Sequence, residues 1–193
     1  GDRRNPLYSA APERWLESQI RDNLEAVDGS LVSSPIYEQA PAMASAERAV
    51  LDLVAADRTG RLAVIEVKAS EDLHLPLKAL DYWGRVRCHL ETGDFQSSGY
   101  FSGIALRIAP PRLLLIAPAL NFHPTTETIL RFFSSEIEVL RVGVAGTWRS
   151  GLKVMFRAQG GDAVQCEYKA EESNEGNADS WADSGCSGSF ESF

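Results

Sequence analysis

Ala63-Val64-Ile65-Glu66-Val67-Lys68-Ala69 sets two charged side chains inside an otherwise apolar run. Side chains alternate faces along a strand, so Glu66 and Lys68 point one way while Ile65 and Val67 point the other. Burying an isolated charge is costly unless it is paired or bound to a metal. The run is therefore expected as a core strand carrying a charged pair on one face.

The elements on either side follow from that strand. Asp57-Arg58-Thr59-Gly60 is a turn sequence, so Arg48–Ala56 and Arg61–Ala69 read as an antiparallel hairpin, with a further strand near Ser33–Gln39. Asp52, flanked by Leu51 and Leu53, again interrupts a hydrophobic run with one carboxylate. Upstream, Pro12 suits a first helical turn, and Leu16, Ile20, Leu24 and Val27 recur at helical spacing until Asp28-Gly29-Ser30 stops them. Downstream, Leu73, Leu77, Leu80, Trp83, Val86 and Leu90 mark one face of a long helix from Leu73 to Glu91. Lys78, Asp81, Tyr82, Arg85 and His89 mark another. Gly93–Pro111 reads mainly as loop, and Arg112–Ala117 as a buried parallel strand bounded by prolines. Thr125 or Thr126 caps a second helix through Phe133, and strands near Glu136–Ala145 and Leu152–Ala158 finish the body. The class is α/β, a mixed central sheet flanked by helices. Trp15, Trp83, Phe132, Phe133 and Trp148 read as core or interface anchors, and His74 and His123 as loop residues.

Composition narrows the chemistry. The 193 residues fit one domain, 1–169, followed by an acidic tail, 170–193, expected to be disordered because it is rich in Ser, Gly, Asn and acid and has no apolar period. The net charge of −8 is unusual for a nucleic-acid binder. The tail alone carries Glu171, Glu172, Glu175, Asp179, Asp183 and Glu191 with no Lys or Arg, which leaves −2 on the body. Cys88, Cys166 and Cys186 form no CxxC pair, and His74, His89 and His123 lack compact ligand spacing. Any metal should therefore be oxygen-ligated. No apolar run approaches the roughly 20 residues a spanning helix needs. The start, Gly1-Asp2-Arg3-Arg4, lacks a signal peptide's apolar stretch, so no membrane association and a cytoplasmic location are expected.

Asp52, Glu66 and Lys68 on adjacent core strands can bring two carboxylates and an amine together. Magnesium and manganese prefer such oxygen donors, and phosphodiester hydrolysis needs an activated water and a cation facing the scissile phosphate. The plainer alternative is an ordinary surface ion pair on an exposed sheet face.

Asp52, then Glu66-Val67-Lys68 after a hairpin, with a helix before and a helix after, resembles the PD-(D/E)XK nuclease superfamily with its restriction endonuclease-like αβββαβ core. The resemblance covers roughly Pro12 to Ala117. It implies a Mg2+- or Mn2+-dependent phosphodiesterase, with Asp52 and Glu66 as metal ligands and the Val67 carbonyl as a further one. Lys68 would orient or deprotonate the attacking water, and Glu17 on the first helix matches the acid that many members bring to the same metal. The helix after the motif is similar to the RecB-like branch, but Lys78 stands where that branch has Gln, four residues before Tyr82. Lys78, Tyr82 and Arg85 are the implied substrate contacts. The implied partner is nucleic acid, DNA first, in repair, recombination, restriction or defence, and homodimers are a common assembly of this fold. The alternative is a non-catalytic subunit of the same fold that binds nucleic acid or protein.

Overall fold

The computed structural model describes residues 10–38 and 53–160. Helix α1, Pro12–Asp22, starts on a proline in its first turn and continues almost directly into the single turn α2, Leu24–Val27. The chain then bridges back to the sheet at two isolated points, Leu31 opposite Asp57 and Tyr37 opposite Val54. This is a looser association than the continuous strand expected over Ser33–Gln39.

The hairpin is present as β1, Leu53–Ala56, and β2, Leu62–Val67, in antiparallel register with Leu53 opposite Ile65. Asp57 closes the turn, because its Oδ1 accepts from Thr59 N–H (2.7 Å), Thr59 O–H (2.7 Å) and Arg61 N–H (3.0 Å). Gly60 takes φ +81°, and a Cβ there would stand 2.0 Å from the Ala105 oxygen. The glycine thus lets the later loop lie against the turn.

Helix α3, Leu75–Glu91, carries the chain across to β3, Arg112–Pro118, which pairs parallel with β2 as a helical crossover allows. Between them lies the short helix α4, Asp94–Ser97. The rest of this segment is irregular but anchored: Phe95 and Phe101 are buried, and the Tyr37 ring packs edge-on against Tyr100 (4.7 Å) and Phe101 (4.8 Å). After α5, Thr126–Leu130, strand β4, Val139–Val144, adds parallel to β3, and β5, Val154–Gly160, adds antiparallel to β4. The five-stranded mixed sheet has the order β1-β2-β3-β4-β5.

Two apolar layers enclose the sheet. Trp15, Leu16 and Ile20 of α1 pack on Ala63, Ile65 and Val67, while Ala79, Trp83 and Val86 of α3 pack on Leu62 and Val64. The opposed faces expected for β2 are therefore observed. Arg157 reaches across from β5 to donate to the carbonyl oxygens of Val27 (2.8 Å) and Ala26, satisfying groups that the end of α2 leaves open.

The buried stripe of α3 differs from the expected one. It runs through Leu75, Ala79, Tyr82, Trp83, Val86 and Leu90, while Leu73 and Leu77 are 42% and 51% exposed. Ala79, not a leucine, faces the sheet, because close approach of a helix to a sheet favours a small side chain there. Phe132 is likewise no core anchor, being 84% exposed, whereas Trp15, Trp83 and Trp148 are buried. Among the described residues no helix is long and apolar enough to cross a membrane. The segment 170–193 lies outside the described residues.

Candidate active site

The parallel register of β2, β3 and β4 puts their carboxyl ends on one edge of the sheet, the edge where open α/β sheets characteristically bind ligands. Glu66 is the next-to-last residue of β2, and Lys68 follows its last residue. The Lys68 N–H still donates to Ile116 O (2.9 Å), so its backbone remains tied to β3. Both side chains are withdrawn from solvent, at 2% for Glu66 and 12% for Lys68. The Lys68 Nζ lies 3.3 Å from Glu66 Oε1, so the two form an ion pair withdrawn from solvent rather than one on an exposed sheet face. Val67 between them is fully buried against the α1 layer.

A second carboxylate reaches the same ammonium from α1. Glu13 Oε2 lies 3.7 Å from Lys68 Nζ, with the Glu13 side chain 44% exposed. Glu17, the acid singled out from the sequence, is half-buried one helical turn further on, along the same side of α1. Both acids belong to the helix that was expected to supply one, and the Glu13 carboxylate lies at the Lys68 ammonium. The sequence signal for it was its place in the first turn, four residues before Glu17. Asp52 lies outside the described residues.

The loop after β2 adds a carboxylate that the sequence reading passed over. Asp72 Oδ2 accepts from Lys78 Nζ at 3.0 Å, and its Oδ1 accepts from His74 N–H at 2.8 Å. Burial alone would raise the Asp72 carboxyl. The Lys78 and His74 hydrogen bonds and the charges of Lys78 and Lys68 outweigh it and hold the group below the usual carboxylate range. Asp72 thus lies in the field of Lys68 and fixes the Lys78 ammonium near the first turn of α3. Arg85 pairs with Asp81 at 3.0 Å on the exposed shoulder of that helix. Tyr82 is 8% exposed and belongs to the core layer under α3, so the three candidate substrate contacts do not share one open face.

The loop after β3 is drawn in beside these residues. Asn121 Nδ2 donates to Ala69 O (3.1 Å), and His123 Nε2 lies 3.8 Å from Glu71 Oε1. Thr125 N–H donates to His123 Nδ1 (3.1 Å), which holds the Nε2 edge of the ring toward Glu71. At the opposite edge of the sheet a cavity of about 420 Å³ opens beside Arg61, Glu138 and Gln159, but there Arg61 is already neutralised by Glu138.

The donors at the carboxyl edge are carboxylate oxygens, the class that magnesium and manganese take. Glu66 and Glu13 both approach one point, marked by Lys68 Nζ. Among the described residues no group of three or more His, Cys, Asp and Glu side chains is gathered closely enough to hold a metal ion. Of the described carboxylates, those of Glu66 and Glu13 lie at the Lys68 ammonium. Compared with models of protein families, with curated proteins and with solved structures, the chain finds no match in any of the three.

Proposed function

We propose that this chain is a metal-dependent nuclease of the PD-(D/E)XK type that hydrolyses phosphodiester bonds in DNA. The observation that carries the reading is the placement of Glu66 and Lys68, 3.3 Å apart and nearly solvent-free, on one face at the carboxyl end of a core strand. A strand that is otherwise wholly apolar retains such a pair at a cost, and costs of this kind concentrate where chemistry is done. The helix before the hairpin, the helix after it and the parallel β3 agree with the resemblance in the sequence.

In this reading Glu66 and a carboxylate of α1, with Asp52 as the resemblance implies, hold Mg2+ or Mn2+. An ion held there would supply a water of lowered pKa and would neutralise charge on the scissile phosphate. Glu66 supplies a desolvated carboxylate whose orientation is set by the β2 backbone. Lys68, steered by Glu66 and Glu13, presents a fixed ammonium that orients the attacking water and stabilises the charge gathering on the phosphoryl oxygens. Asp72 keeps Lys78 at the same edge, where it can meet a neighbouring phosphate. Hydrolysis forms a P–O bond from water and breaks the bond to the leaving sugar oxygen.

The test is cleavage of single-stranded, duplex and branched DNA by the purified chain with magnesium or manganese, against Lys68→Ala and Glu66→Ala. The expected result is metal-dependent cutting that both variants lose by at least about 100-fold. No cutting by the wild type, together with no uptake of either ion in titration calorimetry, would replace this reading with that of a non-catalytic binding subunit.

A further inference from the structure

From the end of β3 at Pro118 the chain reaches α5 through Ala119-Leu120-Asn121-Phe122-His123-Pro124-Thr125. β3 is the parallel neighbour of β2, so this loop stands next to the one that follows Lys68 on the carboxyl edge. Its two ends are tied down. Ala119 N–H donates to Val144 O at 2.8 Å, and Thr126 N–H donates to His123 O at 2.9 Å. Between them Asn121 Nδ2 donates to Ala69 O at 3.1 Å, one residue after Lys68. The loop is thereby held beside the candidate active site.

His123 is the titratable side chain of this loop, and its ring is anchored through Nδ1. Thr125 N–H lies 3.1 Å from that nitrogen and Thr125 Oγ1 lies 2.7 Å from it. A hydroxyl can donate to a bare Nδ1 or accept from Nδ1–H, so the anchor serves either protonation state of the ring. The side chain is 30% exposed, and Nε2 is turned toward Glu71 Oε1 at 3.8 Å, beyond hydrogen-bond length. Glu71 is three residues after Lys68, which sets their Cα atoms at most roughly 11 Å apart. Asp72, next to Glu71, feels the Lys68 charge. An imidazole held by one nitrogen, with a carboxylate beside the other, has the form of a proton-transfer group.

We infer that His123 is the general acid of the cleavage, giving its Nε2 proton to the leaving sugar oxygen while Glu71 orients the ring. This rests on the nuclease reading and deepens it, because a sugar alkoxide is a poor leaving group and departs as the alcohol. In-line displacement sets the leaving oxygen across the phosphorus from the attacking water. With that water at Lys68, the loop after β3 flanks the side where the leaving oxygen departs. Water adds its oxygen to phosphorus and sheds a proton to solvent. The bond from phosphorus to the leaving oxygen breaks, its electron pair stays on that oxygen, and the oxygen takes the Nε2 proton. The neutral ring then regains a proton from solvent.

The test compares the full wild-type chain with His123→Asn, whose side-chain oxygen can still accept from Thr125 N–H while nothing replaces Nε2. Thermal melting confirms that the variant folds. Two substrates are cut in magnesium: ordinary DNA, and DNA with a single sulfur in place of the 3′ or the 5′ bridging oxygen at the position where the ordinary strand is cut. A thiolate leaves without a proton. His123→Asn is expected to lower kcat on ordinary DNA by about 100-fold or more, and to cut the sulfur-bridged strand within about threefold of wild type. Anisotropy with labelled DNA, in the absence of divalent ions, should show binding unchanged. Equal losses on both substrates would overturn the inference, because they mark a structural role for the ring. So would a loss of cutting matched by an equal loss of binding, or a wild type that cuts ordinary DNA but neither sulfur-bridged strand. A wild type that cuts, with His123→Asn cutting as well, removes the general acid and keeps the nuclease. A wild type that cuts neither substrate removes the nuclease reading and the general acid with it.

Discussion

Replacing Lys68 with Met removes a cation and leaves Glu66, 2% exposed, with a thioether at its side. At 3.3 Å and an effective dielectric of about 20, the Coulomb attraction between the two groups is about 5 kcal/mol before desolvation is counted. The Glu13 contact adds little, because that carboxylate is 44% exposed and screened. Breaking one side of a buried pair costs about 3–5 kcal/mol, so Lys68→Met should lose about 4. Glu66→Gln removes the buried carboxylate and leaves Lys68, whose long flexible stem can carry its ammonium toward water, and should cost only about 1. In the double variant neither charge is stranded, and a loss of about 2 is expected, which leaves a coupling of about 3 kcal/mol between the sites. Urea denaturation of the four proteins without divalent ions reads these values. Lys68→Met within about 0.5 kcal/mol of wild type, or additive single and double losses, would refute the buried pair. The nuclease proposal adds a second readout: magnesium or manganese should stabilise the wild type, and Glu66→Gln should weaken that stabilisation.

The hairpin turn allows two further tests. Asp57→Ala removes the acceptor of three hydrogen bonds and should cost about 2–4 kcal/mol in urea denaturation. Burial would raise the Asp57 carboxyl, but the Thr59 and Arg61 hydrogen bonds and the Arg112 charge hold it below its ordinary value. Its contribution to stability is therefore complete above about pH 4 and lost as pH falls through the lowered folded value, and Asp57→Asn should flatten that acid limb. Gly60→Ala meets both a φ of +81° and an Ala105 oxygen at 2.0 Å, so thermal melting should report a loss of at least about 2 kcal/mol. A variant as stable as wild type would mean that the Ala105 segment does not lie on the turn.

The sequence was most legible where charge and periodicity disagreed. Glu66 and Lys68 stood out because they share one face of a strand whose other residues are apolar, and that alternation is dictated by the backbone alone. The parallel placement of β3 followed from its continuous apolar run after a helix. Helix α3 was harder, because Leu73 and Leu77 supplied hydropathy on a side that meets no partner, while Ala79 and Tyr82 face inward. Which stripe a helix buries depends on how closely it can approach the sheet, and side-chain size sets that. Glu13 and Glu17 lie on one side of α1, and the depth at which Trp15, Leu16 and Ile20 seat the helix, which brings the Glu13 carboxylate to Lys68, leaves no mark in the sequence. The segment between α3 and β3 looked like loop because its glycines and prolines hide two buried phenylalanines. The left-handed turns at Gly99, Phe101 and Gly103 bring those rings inward, and they leave no periodic signal.

The charge balance at the end of β2 bears on why the pair is kept. Glu66 and Glu13 share the single ammonium of Lys68, while Lys78 is engaged by Asp72. With both carboxylates ionised, Glu66, Glu13 and Lys68 by themselves sum to one negative charge, and Glu66 is almost entirely removed from water. Asp52, were it to join them as the resemblance implies, would raise the deficit to two. A lysine optimised only for stability would match its carboxylates one for one, or the strand would continue apolar, since replacing a buried ion pair with hydrophobic side chains is often neutral or stabilising. A deficit of one or two charges in oxygen donors beside a fixed ammonium is instead what a divalent cation offsets. With one such ion the site would be neutral or carry a single positive charge, which suits a phosphodiester carrying one negative charge. On the nuclease proposal, the site would be completed by a cation and its anionic substrate, rather than being a strand end held by a salt bridge alone.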